Sequence, residues 1–148
     1  MVKYGNIALR IIVTILTLGI YGFFWMASIT NDVNELSGEN EGTVSGARVV
    51  LLNILTCGIY SYYWSYKMGE RIDKAKMDRG ISTSNKAAIL YLGLSIVEIF
   101  LVKIVSFFNS QDFGNFSIIK YIPVGGVITI VVYSLMQNEI NKFVESQD

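Results

Sequence analysis

The stretch "TLGIYGFFW", residues 17–25, returns thirty-nine positions later as "TCGIYSYYW", residues 56–64. Aligning 8–36 with 47–75 matches Ala8, Ile15, Leu16, Thr17, Gly19, Ile20, Tyr21 and Trp25 with Ala47, Ile54, Leu55, Thr56, Gly58, Ile59, Tyr60 and Trp64. Matches clustered on one phrase indicate a duplicated helical unit. Tyr and Trp favour a membrane–water boundary, where the ring is half apolar and its polar tip is wet. Tyr21, Phe23, Phe24 and Trp25 read as one such girdle, and Tyr60, Tyr62, Tyr63, Trp64 and Tyr66 as the other. Gly19 and Gly58 permit a bend or a close helix contact. Thr17 and Thr56 can bond a carbonyl one turn back and assist that bend. A sharper alternative is an aromatic cage for a cation.

The composition around the phrase agrees with a membrane. Of 148 residues 52% are hydrophobic and 16% charged, whereas soluble domains carry about 25% charged residues. The mean hydropathy is +0.45. Twelve basic and twelve acidic residues leave no net charge, so nothing in the balance suggests a nucleic-acid partner. Histidine is absent and Cys57 is the one cysteine. That removes Ser-His and Cys-His nucleophile pairs, Cys/His zinc sites and an internal disulfide. Cys57, inside an apolar run, reads as a small packing residue. No cofactor is implied.

A hydrocarbon core of about 30 Å needs roughly 20 apolar residues of helix. Four stretches approach that length: 11–29, 49–66, 87–108 and 121–138. The expected fold is thus an all-α membrane domain over 1–148 with about four transmembrane helices, the first two related by duplication. The first stretch follows Lys3 and Arg10 but lacks a small-x-small cleavage site, so it reads as retained rather than as a signal peptide. Lys and Arg between spans set the orientation. With both termini in the cytoplasm, nine basic residues lie inside and three outside. Four continuous spans would make the two copies inverted. Alternatively, each copy dips in, breaks at its glycine and returns, leaving both copies on one side; the segment before each glycine is only about 20 Å of helix.

The connection 67–86 carries Lys67, Arg71, Lys74, Lys76, Arg79 and Lys86. Helix is expected to run on from Trp64, supported by Glu70 and Lys74 at i, i+4, to a stop at Gly80, with Ser84 or Asn85 capping the next helix. Lys67, Arg71, Lys74, Lys76 and Arg79 are candidate contacts for anionic lipid headgroups. Glu98 falls near the middle of the third span, where a carboxylate must be neutralised, paired or hydrated. Lys103, five positions on, is poorly spaced to pair with it, which points to Asn53, Thr14 or a second subunit. The tail 139–148 extends the last helix as an amphipathic segment along the membrane or against the basic connection. Pro123, Gly125 and Gly126 mark a bending or packing site.

The phrase "TCGIYSYYWSYKMGERIDKAK" and a late helix ending "YSLMQNEINKF" resemble the bacterial domain of unknown function family 4234. Its members are small membrane proteins with a Thr-x-Gly-Ile-Tyr-x-x-x-Trp signature. The resemblance covers most of 7–143; the stretch 98–120 is longer and more polar than the family leads one to expect. It implies a multi-helix protein of a bacterial membrane and transfers no catalytic residue. The expected function is that of a structural or interaction subunit, not an enzyme, in the bacterial cytoplasmic membrane with membrane lipids and a protein partner or second copy around it. The alternative is binding or transport of a lipid or small ion through Glu98.

Overall fold

The computed structural model describes residues 2–38, 44–81, 83, 86–110 and 124–146, and over these the chain is helix and turn without a strand. Six helices follow in order: α1 Ile7–Leu16, α2 Ile20–Leu36, α3 Gly46–Leu55, α4 Tyr60–Asp78, α5 Ala87–Ser110 and α6 Val124–Glu145. The continuous helices expected over 11–29 and 49–66 are each two helices, broken inside the repeated phrase. After Thr17, Leu18 takes φ 51° and Gly19 φ 92°; after Thr56, Cys57 takes φ 51° and Gly58 φ 90°. Two successive left-handed residues turn the chain back. The Gly19 N–H donates to the Thr14 carbonyl at 2.8 Å and the Leu18 N–H to Ile15 at 3.1 Å. Gly58 and Cys57 make the same pair of bonds, to Asn53 and Ile54, at the same lengths. This is the double closure of a helix C-terminus. Hydropathy alone does not reveal it, because apolar residues continue straight through the turn.

Arg10 lies over the Trp25 ring, 6.0 Å from its centre, so α1 doubles back along α2. The remaining packing follows one rule. Outer helix α1 sits against α2 and α6, α3 against α2 and α4, and α5 against α4 and α6, while α2, α4 and α6 pack on one another. Contacts between the inner helices advance in step. Trp64 meets Thr30 and Arg71 meets Asn34 along α4 and α2; Lys76 meets Glu139 and Arg79 meets Phe143 along α4 and α6. The three inner helices are therefore parallel, and α5–α6 is a third hairpin beside the two that the sequence repeats.

The end where the inner helices finish, here the base, is closed by one device used three times. Asn34 of α2 donates to the Val44 carbonyl ahead of α3 at 3.1 Å. Asp73 of α4 accepts from the Ala87 N–H at the start of α5 at 2.8 Å and from Thr83 at 2.6 Å. Asn141 of α6 exchanges two 2.9 Å bonds with the Gly5 backbone ahead of α1. Each inner helix thus holds the entry of the next outer one, and the last holds the first. Asn34 and Asp73 are also thirty-nine residues apart.

The core is aromatic. Trp25 and Trp64 both present edges to Tyr133, at 5.6 Å and 5.4 Å between ring centres. Trp25 donates from Nε1 to Gln137 and Trp64 to Thr30, so neither indole N–H is stranded. Burying these rings, with Met26, Ile29, Ile72, Met136 and Ile140, is the main apolar term holding the inner helices together.

Other expectations meet the structure as follows. The connection 67–86 is mostly helix, since α4 runs to Asp78, and the expected stop is present at Gly80 with φ 68°. Glu70 pairs with Lys67 at 2.7 Å. Ser84 and Asn85 lie outside the described residues, and Asp73 supplies the cap of α5. The span 87–108 lies inside α5. Of the two placements expected for the tail, the structure has the one against the basic connection: α6 continues to Glu145, Glu139 pairs with Lys76, Phe143 lies under Arg79, and Ile140, Asn141 and Phe143 are buried. Residues 121–123, with Pro123, lie outside the described residues.

Candidate functional site

The signature residues assemble the hairpin tip and its anchor. The Thr17 hydroxyl donates to the Val13 carbonyl at 2.8 Å and accepts from the Tyr21 N–H at 3.0 Å. Thr56 does the same with Leu52 and Tyr60, at 2.8 Å and 3.0 Å. One oxygen therefore closes the end of one helix and caps the start of the next. With the surrounding bonds, each backbone N–H from Thr17 to Gly22 and from Thr56 to Ser61 has an acceptor. One turn beyond Tyr21 and Tyr60, Trp25 and Trp64 enter the core.

The tryptophans are thus not interfacial: Trp25 is 0% and Trp64 1% exposed. The girdle reading fails for them because four residues after Tyr is the face that looks inward to Tyr133. A cage for an external cation is not formed at Trp25 either, since the cation above that ring is the chain's own Arg10. Cys57, expected to pack, is exposed because it occupies the left-handed corner. The tips themselves are apolar and bare: Leu16, Leu18, Ile20, Phe24, Leu55 and Ile59 are all exposed, Leu18 to 95%.

The two tips and the first turns of α6 enclose a cavity of about 670 Å³, lined mainly by apolar groups with Thr14, Asn53, Ser61, Thr129 and Tyr133 among them. Asn53 Oδ1 is buried and has no hydrogen-bond partner among the described residues. Thr14 donates to the Arg10 carbonyl at 2.7 Å.

Glu98 does not meet Asn53 or Thr14. Its partner is Thr129 of α6, whose hydroxyl stands 3.1 Å and 3.0 Å from the two carboxylate oxygens. Sequence reasoning missed Thr129 because the pairing depends on the register of α5 against α6. Beside them lies a second, small cavity of about 20 Å³ lined by Ser61, Tyr62, Ser65, Ser95, Glu98, Thr129, Val132 and Tyr133.

The candidate headgroup residues gather at the base, largely engaged within the chain. Lys67 pairs with Glu70, Arg71 donates to Asn34 at 2.6 Å, Lys76 pairs with Glu139, and Arg79 lies 4.8 Å over Phe143. Lys74 is exposed on α4. Glu139 also pairs with Lys142 at 2.8 Å. Burial pulls its carboxyl up, but the Lys142 and Lys76 ammonium groups outweigh that and hold it below the usual range. Across the base, burial pushes the Asp32 carboxyl up against the opposing pull of Arg10 and Ser28.

Among the described residues one helix, α5 over Ala87–Phe107, is long and apolar enough to cross a membrane, and 11% of its most apolar window is buried. At 21 residues it measures about 31 Å.

No curated protein and no solved structure matches this chain. A family described as a domain of unknown function, DUF4234, matches twice, over residues 5–74 and 45–112. The first match spans the α1–α2 and α3–α4 hairpins, and the second begins at the entry of α3 and ends after α5, so the family's pattern advances along the chain by one hairpin. On that repeated match, the chain belongs to the DUF4234 family.

Proposed function

We propose that this chain is an integral protein of the bacterial cytoplasmic membrane, built as two re-entrant hairpins and one transmembrane hairpin, that serves as a non-catalytic interaction subunit. The observation that carries the membrane placement is the pair of bare apolar tips whose backbone N–H groups all find partners within the turn. Hydrocarbon offers no hydrogen bonds, so a turn can sit there only if it satisfies its own backbone. Helices α1 and α3, ten residues each, reach about 15 Å, half of a hydrocarbon core of about 30 Å. The tips then rest near the midplane. Among the described residues, ten of the eleven Lys and Arg residues, all but Lys103, belong to the base half. By the positive-inside rule the base and both termini face the cytoplasm.

The interaction role rests on α5. Glu98 is level with Ser61 at the start of α4, so residues 99–110 continue about 18 Å past that point. Phe100, Ile104 and Phe107 are exposed along this projection, at 62%, 49% and 60%. A partner helix or a second copy packed there would bury them. Native mass spectrometry of protein extracted gently from its own membrane tests this: an assembly of fixed stoichiometry, lost in Phe100→Ala/Phe107→Ala, is expected. A monomer under all mild extractions contradicts it.

A second reading, lipid binding, is favoured by the cavity at the tips. Its volume falls within the range of small-molecule sites, about 300–1,000 Å³, and its mixture of apolar wall and a few hydroxyls suits an acyl chain. The same spectra would show a retained lipid, displaced when Gly22→Leu fills the wall.

A further inference from the structure

The small cavity beside Glu98 differs in kind from the large one. At about 20 Å³ it admits one water-sized species and nothing larger. Three serines, a threonine and a carboxylate contribute to its wall. Two of the serines direct their protons elsewhere. The Ser61 hydroxyl donates to the Gly58 carbonyl at 2.6 Å, and the Ser95 hydroxyl lies 2.9 Å from the Tyr91 carbonyl. Thr129 has one hydroxyl proton for two carboxylate oxygens at nearly equal distance. Ser65 Oγ stands 3.4 Å from Ser95 Oγ and adds one more oxygen. Ser61 and Ser95 therefore keep lone pairs for the space beside a carboxylate, Ser65 and Thr129 add two more hydroxyl oxygens next to Tyr62 and Tyr133, and the complement of this wall is a species that brings positive charge.

We propose that Glu98, Thr129, Ser61, Ser65 and Ser95 bind one monovalent metal cation of the sodium class. Hard oxygen donors with no nitrogen or sulfur select a hard cation. The charge count selects its valence: one carboxylate neutralises one positive charge, whereas a divalent ion would leave a net charge buried at this depth. Ser61, Thr129 and Tyr133 line both cavities, so the large one is the approach to the small one. The proposal rests on the membrane placement, because hydrocarbon around α5 is what makes an uncompensated Glu98 costly.

The test follows the thermal unfolding midpoint of the detergent-purified full chain against sodium chloride, with choline chloride holding ionic strength constant. A ligand bound only by the folded state raises the midpoint with its concentration. A saturable rise with sodium is expected, absent in Glu98→Gln, which keeps an acceptor for Thr129 but loses the charge. Ser95→Ala, which removes one oxygen and no charge, should move half-saturation to a roughly tenfold higher concentration. No sodium-specific rise in the wild type overturns the proposal, as does a rise that persists in Glu98→Gln. So does a midpoint that follows pH equally in sodium and choline, which would make the occupant a proton. The membrane placement fails by a different sign, release of the chain from membranes by an alkaline wash without detergent.

Discussion

The Thr17 hydroxyl and the Tyr21 N–H meet at 3.0 Å across the corner between α1 and α2, while the same hydroxyl gives its proton to Val13. Thr56 and Tyr60 repeat the contact at the same length. Replacing either threonine by valine keeps its shape and strands the Tyr21 or Tyr60 N–H, while the Val13 and Leu52 carbonyls keep the backbone N–H of residues 17 and 56. Each of Thr17→Val and Thr56→Val should cost about 1 kcal/mol, the usual worth of a helix-capping hydroxyl. Serine should restore most of it. Equilibrium unfolding in detergent checks this, and a neutral valine at both corners would show that the hydroxyl does not hold the turn.

Two kinds of glycine should behave differently. Gly58 has φ 90° and nothing within 4 Å of an added Cβ, so alanine there meets only backbone strain of about 1–2 kcal/mol. Gly46 is pressed against the Ala27 backbone of α2, and a methyl group would collide with that carbonyl. Gly46→Ala must therefore separate α2 from α3 and should be the more destabilising. Parallel unfolding curves of the two variants settle the order.

Trp25 and Trp64 offer an optical check on core against girdle. Buried to 0% and 1% exposure, they should emit at short wavelength and resist quenching by aqueous iodide and by lipids brominated at the headgroup end of the chain. Strong quenching by those lipids would return both rings to the interface.

The base should respond to acid through Glu139. A carboxyl whose folded pKa is lowered holds its proton more weakly when folded. Its stabilising contribution is complete above the unfolded value of about 4.5 and is lost as pH falls through the folded value. The stability gap between wild type and Glu139→Gln should therefore be constant at neutral pH and close in acid. A gap that widens in acid would reverse the sign of the Lys76 and Lys142 interaction.

Much of this arrangement was legible in the sequence, and its limits have physical causes. The repeat, the all-α class, α5 and the stop at Gly80 follow from local spacing and residue type. The break at Gly19 and Gly58 was visible as a bend, and the re-entrant alternative followed from the short run before each glycine. The left-handed Leu18 and Cys57 were not visible, because neither residue favours that conformation. The third hairpin has no copy of the phrase: nine residues before Asn141, where Asn34 and Asp73 have Trp25 and Trp64, stands Val132, and its neighbour Tyr133 meets the two indoles. Pairings between distant helices, such as Asn141 with Gly5 or Glu98 with Thr129, depend on register, which hydropathy does not carry. The thirty-nine-residue offset between Asn34 and Asp73 was the one available hint of the base closure.

The most direct test of the hairpin arrangement is the sidedness of two cysteines placed singly in a Cys57→Ser background, Ser45→Cys before α3 and Met77→Cys late in α4. Four continuous spans with inverted copies put residue 45 outside and residue 77 inside. Two re-entrant hairpins put both at the base, on the cytoplasmic side with the termini. Labelling intact cells and inverted vesicles with an impermeant maleimide should modify both cysteines only in the inverted vesicles. Modification of Ser45→Cys in intact cells, with Met77→Cys protected there, would contradict the hairpins and return the chain to inverted spans.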